Sequence, residues 1–108
     1  MKNNTLVLKL DEEFELDLDL IDLLPSYLFN VRKDYDEMGV SLKNSDFQKV
    51  AKIAHKIKGS AKSYGFDYID ELMLVIQEDI KDGGASLKEL YGYFEKFLNK
   101  VEKKLSKA

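Results

Sequence analysis

Four apolar stripes at helical spacing, separated by only a few residues each, leave this chain of 108 residues few folds to choose from. In the first, Leu24, Leu28, Val31, Tyr35, Met38 and Leu42 recur alternately four and three residues apart. Pro25 suits its first turn, where no amide donor is needed. The second runs through Phe47, Val50, Ala51, Ala54, Ile57, Ala61 and Tyr64 to Gly65, and Ser45 with Gln48 reads as a capping box at its start. The third holds Ile69, Leu72, Met73, Ile76 and Ile80, with Asp67 as the expected N-cap and Gly83-Gly84 as the stop. The fourth carries Leu87, Leu90, Tyr91, Phe94, Phe97, Leu98, Val101 and Leu105 behind a second capping box, Ser86 with Glu89. Short connections place consecutive helices side by side, so an all-α, antiparallel up-and-down four-helix bundle is predicted over residues 20–108. Residues 1–19 form a short N-terminal extension. There Leu6, Leu8 and Leu10, then Phe14, Leu16, Leu18 and Leu20, alternate with period two, which suggests one or two extended segments.

Composition narrows the chemistry. With 44% apolar and 34% charged residues the chain is expected to be a single globular unit, monomeric and too small for a multi-lobed enzyme. No apolar run approaches the roughly 20 residues that span a bilayer, and the polar, then acidic, N-terminus has no signal-peptide pattern; no membrane association and a cytoplasmic location are expected. There is no cysteine, hence no disulfide or thiolate ligand, and one histidine with carboxylates is a poor zinc site, so neither metal nor cofactor is expected. The net charge of −3 argues against nucleic acid. It also hides an asymmetry: residues 45–64 carry five lysines (Lys49, Lys52, Lys56, Lys58, Lys62) against Asp46 alone, while residues 1–24 hold seven acids and two lysines. Positive charge gathered around the one histidine favours an anion and an acidic partner.

That histidine, His55, lies in the second helical segment, roughly 130° from the centre of its apolar stripe at about 100° per residue, on an exposed shoulder. Lys58, three residues on, can lean toward whatever His55 carries. Ala51 one turn before and Gly59 one turn after leave the imidazole without bulky neighbours on its own stripe. A glycine inside a helix costs about 1 kcal/mol relative to alanine, and close approach of a partner is a reason to keep one there. Ser60 reads as a small residue at a helix contact and Gly65 as a left-handed helix end.

The pattern His55-x-x-Lys58-Gly59-x-x-x-x-x-Gly65, followed by apolar Ile69, Leu72 and Ile76 and then Gln77, resembles the histidine-containing phosphotransfer (HPt) domain family of two-component phosphorelays. Ile21-Asp22-Leu23-Leu24-Pro25-Ser26-Tyr27-Leu28 is similar to the family's first bundle helix, and the resemblance covers roughly residues 20 to 105. It implies a phosphoryl group carried on His55 and exchanged with the aspartate of receiver domains, those of hybrid histidine kinases and response regulators, which supply the Mg²⁺. The chain would then be a phosphocarrier without kinase activity of its own; it has no Gly-rich phosphate loop. On this resemblance the Gln77 oxygen would accept a hydrogen bond from Nδ1–H of His55 and leave Nε2 as nucleophile. Lys58 would offset phosphoryl charge, and Gly59 would give the receiver clearance.

Two rival readings stand beside it. A helical adaptor would keep the bundle and lose the chemistry, and would have no use for His55, Lys58, Gly59 and Gln77 together. A hydrolase with His55 as general base lacks a convergent nucleophile. For the transfer reading a docking patch is expected, in which Leu74 comes level with Gly59 beside Ala51, bordered by Lys52 and Lys62; Phe29 joins it only if the first helix turns that side toward His55.

Overall fold

A computed structural model describes Leu6, Lys9, Leu10 and residues 12–107. Four α-helices make up most of it: α1 (Leu24–Lys43), α2 (Phe47–Ala61), α3 (Asp67–Lys81) and α4 (Leu87–Ser106). Single 3₁₀ turns occupy Leu18–Leu20 and Lys62–Tyr64, and the described residues include no strand. The helices close a ring, α1 packing on α2 and α4, and α3 on α2 and α4, with the α2–α3 contact the most extensive. This is a helical bundle, and its centre is where the four stripes meet: Met38, Val50, Ala54, Ile57, Leu72, Met73, Ile76, Leu90, Phe94 and Leu98 are almost fully buried.

Cross-helix polar contacts tie the ring together. Arg32 on α1 donates to Asn99 (2.9 Å) and Glu102 (2.5 Å) on α4, and the hydroxyl of Tyr35 donates to Glu95. Tyr91 stacks on Tyr35 with ring centroids 4.5 Å apart and donates to the Tyr35 carbonyl oxygen at 3.0 Å. Between α1 and α2, the Tyr27 and Ser60 hydroxyls share a hydrogen bond of 3.0 Å, and Tyr27 stacks on Tyr64 at 3.9 Å. Ser60 is thus the small contact residue the sequence suggests.

The helix ends differ from the expected caps. Asp46, not Ser45, caps α2, its carboxylate accepting from the Lys49 amide at 3.2 Å. Ser45 is displaced from that role because it adopts φ 54°, the left-handed conformation that turns the chain between α1 and α2. Phe66 takes the N-cap position of α3, so Asp67 is its first residue, where a carboxylate meets the positive end of the helix dipole. Ser86 does stand at the N-cap of α4, but its side chain makes no cap; its amide donates to Asp79 at 3.0 Å, while Glu89 accepts from the Tyr93 hydroxyl. The glycine stops hold: Gly65, Gly83 and Gly84 have φ of 85°, 108° and 78°.

The N-terminal segment corrects the extended reading in its first part only. Leu6, Lys9 and Leu10 have helical backbone, and Leu8 lies outside the described residues. Residues 13–17 are in neither helix nor strand, with Asp17 extended ahead of the 3₁₀ turn at Leu18–Leu20; helical backbone pairs with itself, and no neighbouring strand is offered among the described residues. The segment packs across α3 and α4. Leu6 is fully buried and its carbonyl accepts from the Tyr68 hydroxyl at 3.2 Å. Lys9 pairs with Glu71 at 2.5 Å, Lys100 donates to the carbonyls of Leu10 and Glu12, and Phe14 lies 5.2 Å from Phe97. Among the described residues, Leu18 is the one of the alternating leucines left exposed, at 75%.

Candidate functional site

His55 stands exposed on α2, two turns in from a well-capped start. Helical geometry strings Lys52, His55, Gly59 and Lys62 along one stripe three or four residues apart, and all four are exposed. Ala51 and Lys58, half-buried, flank that stripe. The apolar residues Val50, Ile53, Ala54, Ile57 and Ala61 hold the opposite face in the core, which fixes the direction in which the histidine stripe points.

Gly59 has no internal reason to be glycine. A Cβ built there would meet nothing within 4 Å. Compare Gly39, where a Cβ would collide with the Tyr91 hydroxyl, and Gly84, where it would come within 2.7 Å of the Phe47 ring. Those two are packing glycines. The bare backbone at Gly59 instead faces solvent on the histidine stripe.

The lysines around His55 are sorted by pairing. Lys56 contacts Asp34 at 3.0 Å and Lys49 contacts Glu37 at 3.4 Å, both acids being on α1. Lys58 turns the other way and meets Asp70 of α3 at 3.5 Å. Lys52 and Lys62 have no ion pair among the described residues, so the two cations left unpaired are those that bracket His55 and Gly59. Sequence reading missed all three carboxylates. Asp34 sits within the apolar stripe of α1, 8% exposed, and that interruption is the signal that could have marked it. Asp70 shares a stripe with Leu74 and Gln77 at helical spacing, which is its own faint signal.

On α3, Leu74 is 45% exposed and Gln77 half-buried. The hydrogen bonds of the described residues include none between His55 and Gln77. The Lys58–Asp70 contact joins α2 to α3 one residue before Gly59, and Leu74 follows Asp70 by one turn, about 6 Å along α3. Phe29 does not join the expected patch. Tyr27 and Asp34 mark the side of α1 that faces α2, and Phe29, two residues past Tyr27, is turned about 200° away, 66% exposed beside the Lys33 ammonium.

Among the described residues no helix is long and apolar enough to cross a membrane. A family model described as the Hpt domain matches residues 22–104. No curated protein and no solved structure matches the chain.

Proposed function

The chain belongs to the Hpt domain family, and from that premise we propose that His55 is the residue that carries the phosphoryl group. Membership implies histidine phosphotransfer within phosphorelays, by a phosphocarrier rather than an enzyme, and interaction with receiver domains of two-component systems. His55 is the chain's one histidine, and the observation that carries the assignment is its exposure on a helix beside a glycine that no internal packing requires.

In the proposed step Nε2 of His55 attacks the phosphorus of a receiver's aspartyl phosphate. The N–P bond forms as the P–O bond to the carboxylate breaks, and the electron pair leaves on the carboxylate oxygen; Nδ1 keeps its proton through the transfer. The reverse step hands the phosphoryl group to a second receiver. In this reading the receiver brings Mg²⁺ and the in-line geometry, and the step asks the bundle for neither a metal nor a nucleotide.

The finer arrangement is part of the same reading. An antiparallel, up-and-down order of α1 to α4 is supported by pairings that ascend along one helix and descend along its neighbour: Arg32 with Glu102, then Tyr35 with Glu95 and Tyr91; Tyr27 with Ser60, then Asp34 with Lys56 and Glu37 with Lys49. Run antiparallel from Lys58–Asp70, α2 and α3 bring Leu74 beside the His55 turn and Gln77 beside Ala51. A helical side chain leans toward its own N-terminus, so the imidazole tilts over Ala51 and toward Gln77, which is then in position to accept from Nδ1–H once a receiver is docked. Ala51, Lys52, Lys62 and Leu74 form the docking surface, with Leu74 as its apolar centre and the two unpaired lysines as its rim.

Incubation with phosphorylated receiver domains from the same genome tests the assignment. Label should appear on the protein in an acid-labile, base-stable linkage and be absent from His55→Gln. A His55→Gln protein that still accepts the phosphoryl group would overturn it.

A further inference from the structure

One acidic side chain near His55 has no part in the transfer as described. Asp70 stands in the first turn of α3 and contacts the ammonium of Lys58 at 3.5 Å. The pair is long and only half-buried, the side chains keeping 34% and 24% of their exposure, which is the regime in which an ion pair is weak. Lys58 is three residues past His55, on the flank of the same stripe. It therefore has two anions within its reach once His55 is phosphorylated, and the incoming one is the stronger, with a charge near −2. Asp70 does not depend on Lys58 in return, because the first turn of a helix favours a carboxylate with or without a cation beside it.

We propose that Asp70 is a positioning residue that holds Lys58 against α3 and competes with the phosphoryl group for its ammonium, so that the bundle binds the phosphoryl group less tightly and yields it more readily. The inference rests on His55 being the carrier. Two consequences follow from the charges. With Asp70 in place the phosphorylated cluster of His55, Lys58 and Asp70 gathers about three negative charges around one ammonium, whereas an asparagine at 70 would leave that ammonium wholly to the phosphoryl group. Phosphorylation also releases Asp70 toward solvent one turn from Leu74, so the docking surface carries a different charge in its loaded and empty states.

The test is the equilibrium between phosphohistidine on the full chain and phosphoaspartate on a receiver domain. Asp70→Asn should shift it toward phosphohistidine by about two- to fivefold, the size of an exposed ion-pair coupling. Asp70→Glu should bring it back toward the wild-type ratio. In a Lys58→Ala background the Asp70→Asn shift should shrink, because the residue competed for is gone. An unchanged ratio in a folded Asp70→Asn protein overturns the proposal, and so does a shift of full size in the Lys58→Ala background, which would make Asp70 a general repulsive charge. Failure of the carrier assignment is told apart at the start, since wild-type protein would then take no label on His55 at all.

Discussion

Gly59 and Gly84 are both glycines at helix-related positions, and they should respond in opposite ways to the same small change. At Gly59 a methyl group meets open space, so Gly59→Ala is expected to raise stability by about 1 kcal/mol in denaturant unfolding and to leave phosphotransfer nearly intact. Gly59→Arg should remain folded yet slow transfer from a phosphorylated receiver, because the side chain fills the clearance beside the imidazole; equal rates would remove the clearance argument. At Gly84 a methyl group would press on the Phe47 ring at 2.7 Å in a backbone of φ 78°, so Gly84→Ala should cost roughly 1 kcal/mol or more in the same assay. Both glycines are legible in the sequence as breaks in helical pattern, but only packing tells them apart. The caps show the same limit. Ser45 and Asp46 are both good N-cap residues in sequence, and which one caps α2 was decided by the left-handed turn at Ser45.

At the level of elements, α2 and the 3₁₀ turn that continues it carry lysines that face three ways. Those toward α1 are neutralised by Asp34 and Glu37, the one toward α3 by Asp70, and the outer pair, Lys52 and Lys62, is left for a partner. Lys52→Glu or Lys62→Glu should therefore slow association with a receiver severalfold and reduce its dependence on salt, with dissociation less affected, as read by stopped-flow binding at two ionic strengths. Leu74→Asp, at the apolar centre, should weaken binding more than either while circular dichroism stays helical; undiminished binding would take Leu74 out of the docking surface. The four helices and the exposed histidine were readable from periodicity, since a stripe of apolar residues dictates which side faces inward. The ion pairs Lys56–Asp34 and Lys58–Asp70 were not, because the level at which two helices meet is set by their packing and not by either pattern alone.

Over the whole molecule, tyrosines do much of the joining between helices, and they tie its stability to alkaline pH. Burial pushes the phenols of Tyr27, Tyr35, Tyr68 and Tyr91 upward, and the Glu89 carboxylate holds the Tyr93 phenol at about 12. A phenol whose folded value is raised keeps its proton in the native state where the unfolded chain would release it, so its contribution is complete below about pH 10 and is lost as pH climbs through the folded value. Tyrosinate absorbance and helical dichroism should accordingly change together above pH 10; ionisation of all the tyrosines well before any loss of helix would contradict the burial argument. The N-terminal segment has a consequence of a different kind, in the order of folding. Contacts between neighbouring helices join residues separated by 12 in Lys58–Asp70, 22 in Lys56–Asp34 and 33 in Tyr27–Ser60, whereas those of α1 with α4 span 56 to 70 and those that seat the segment span 62 residues in Leu6–Tyr68 and 90 in Leu10–Lys100. The α1–α4 closure is backed by two packed helices, while the segment closes loops as long or longer with few contacts to hold it, which places it last in assembly and first in release. In native-state hydrogen exchange, the amides of Lys9, Leu10 and residues 12–20 should open at lower free energy than those of α2 and α3, so that the helix bearing His55 stays whole while the strap across α3 and α4 comes and goes.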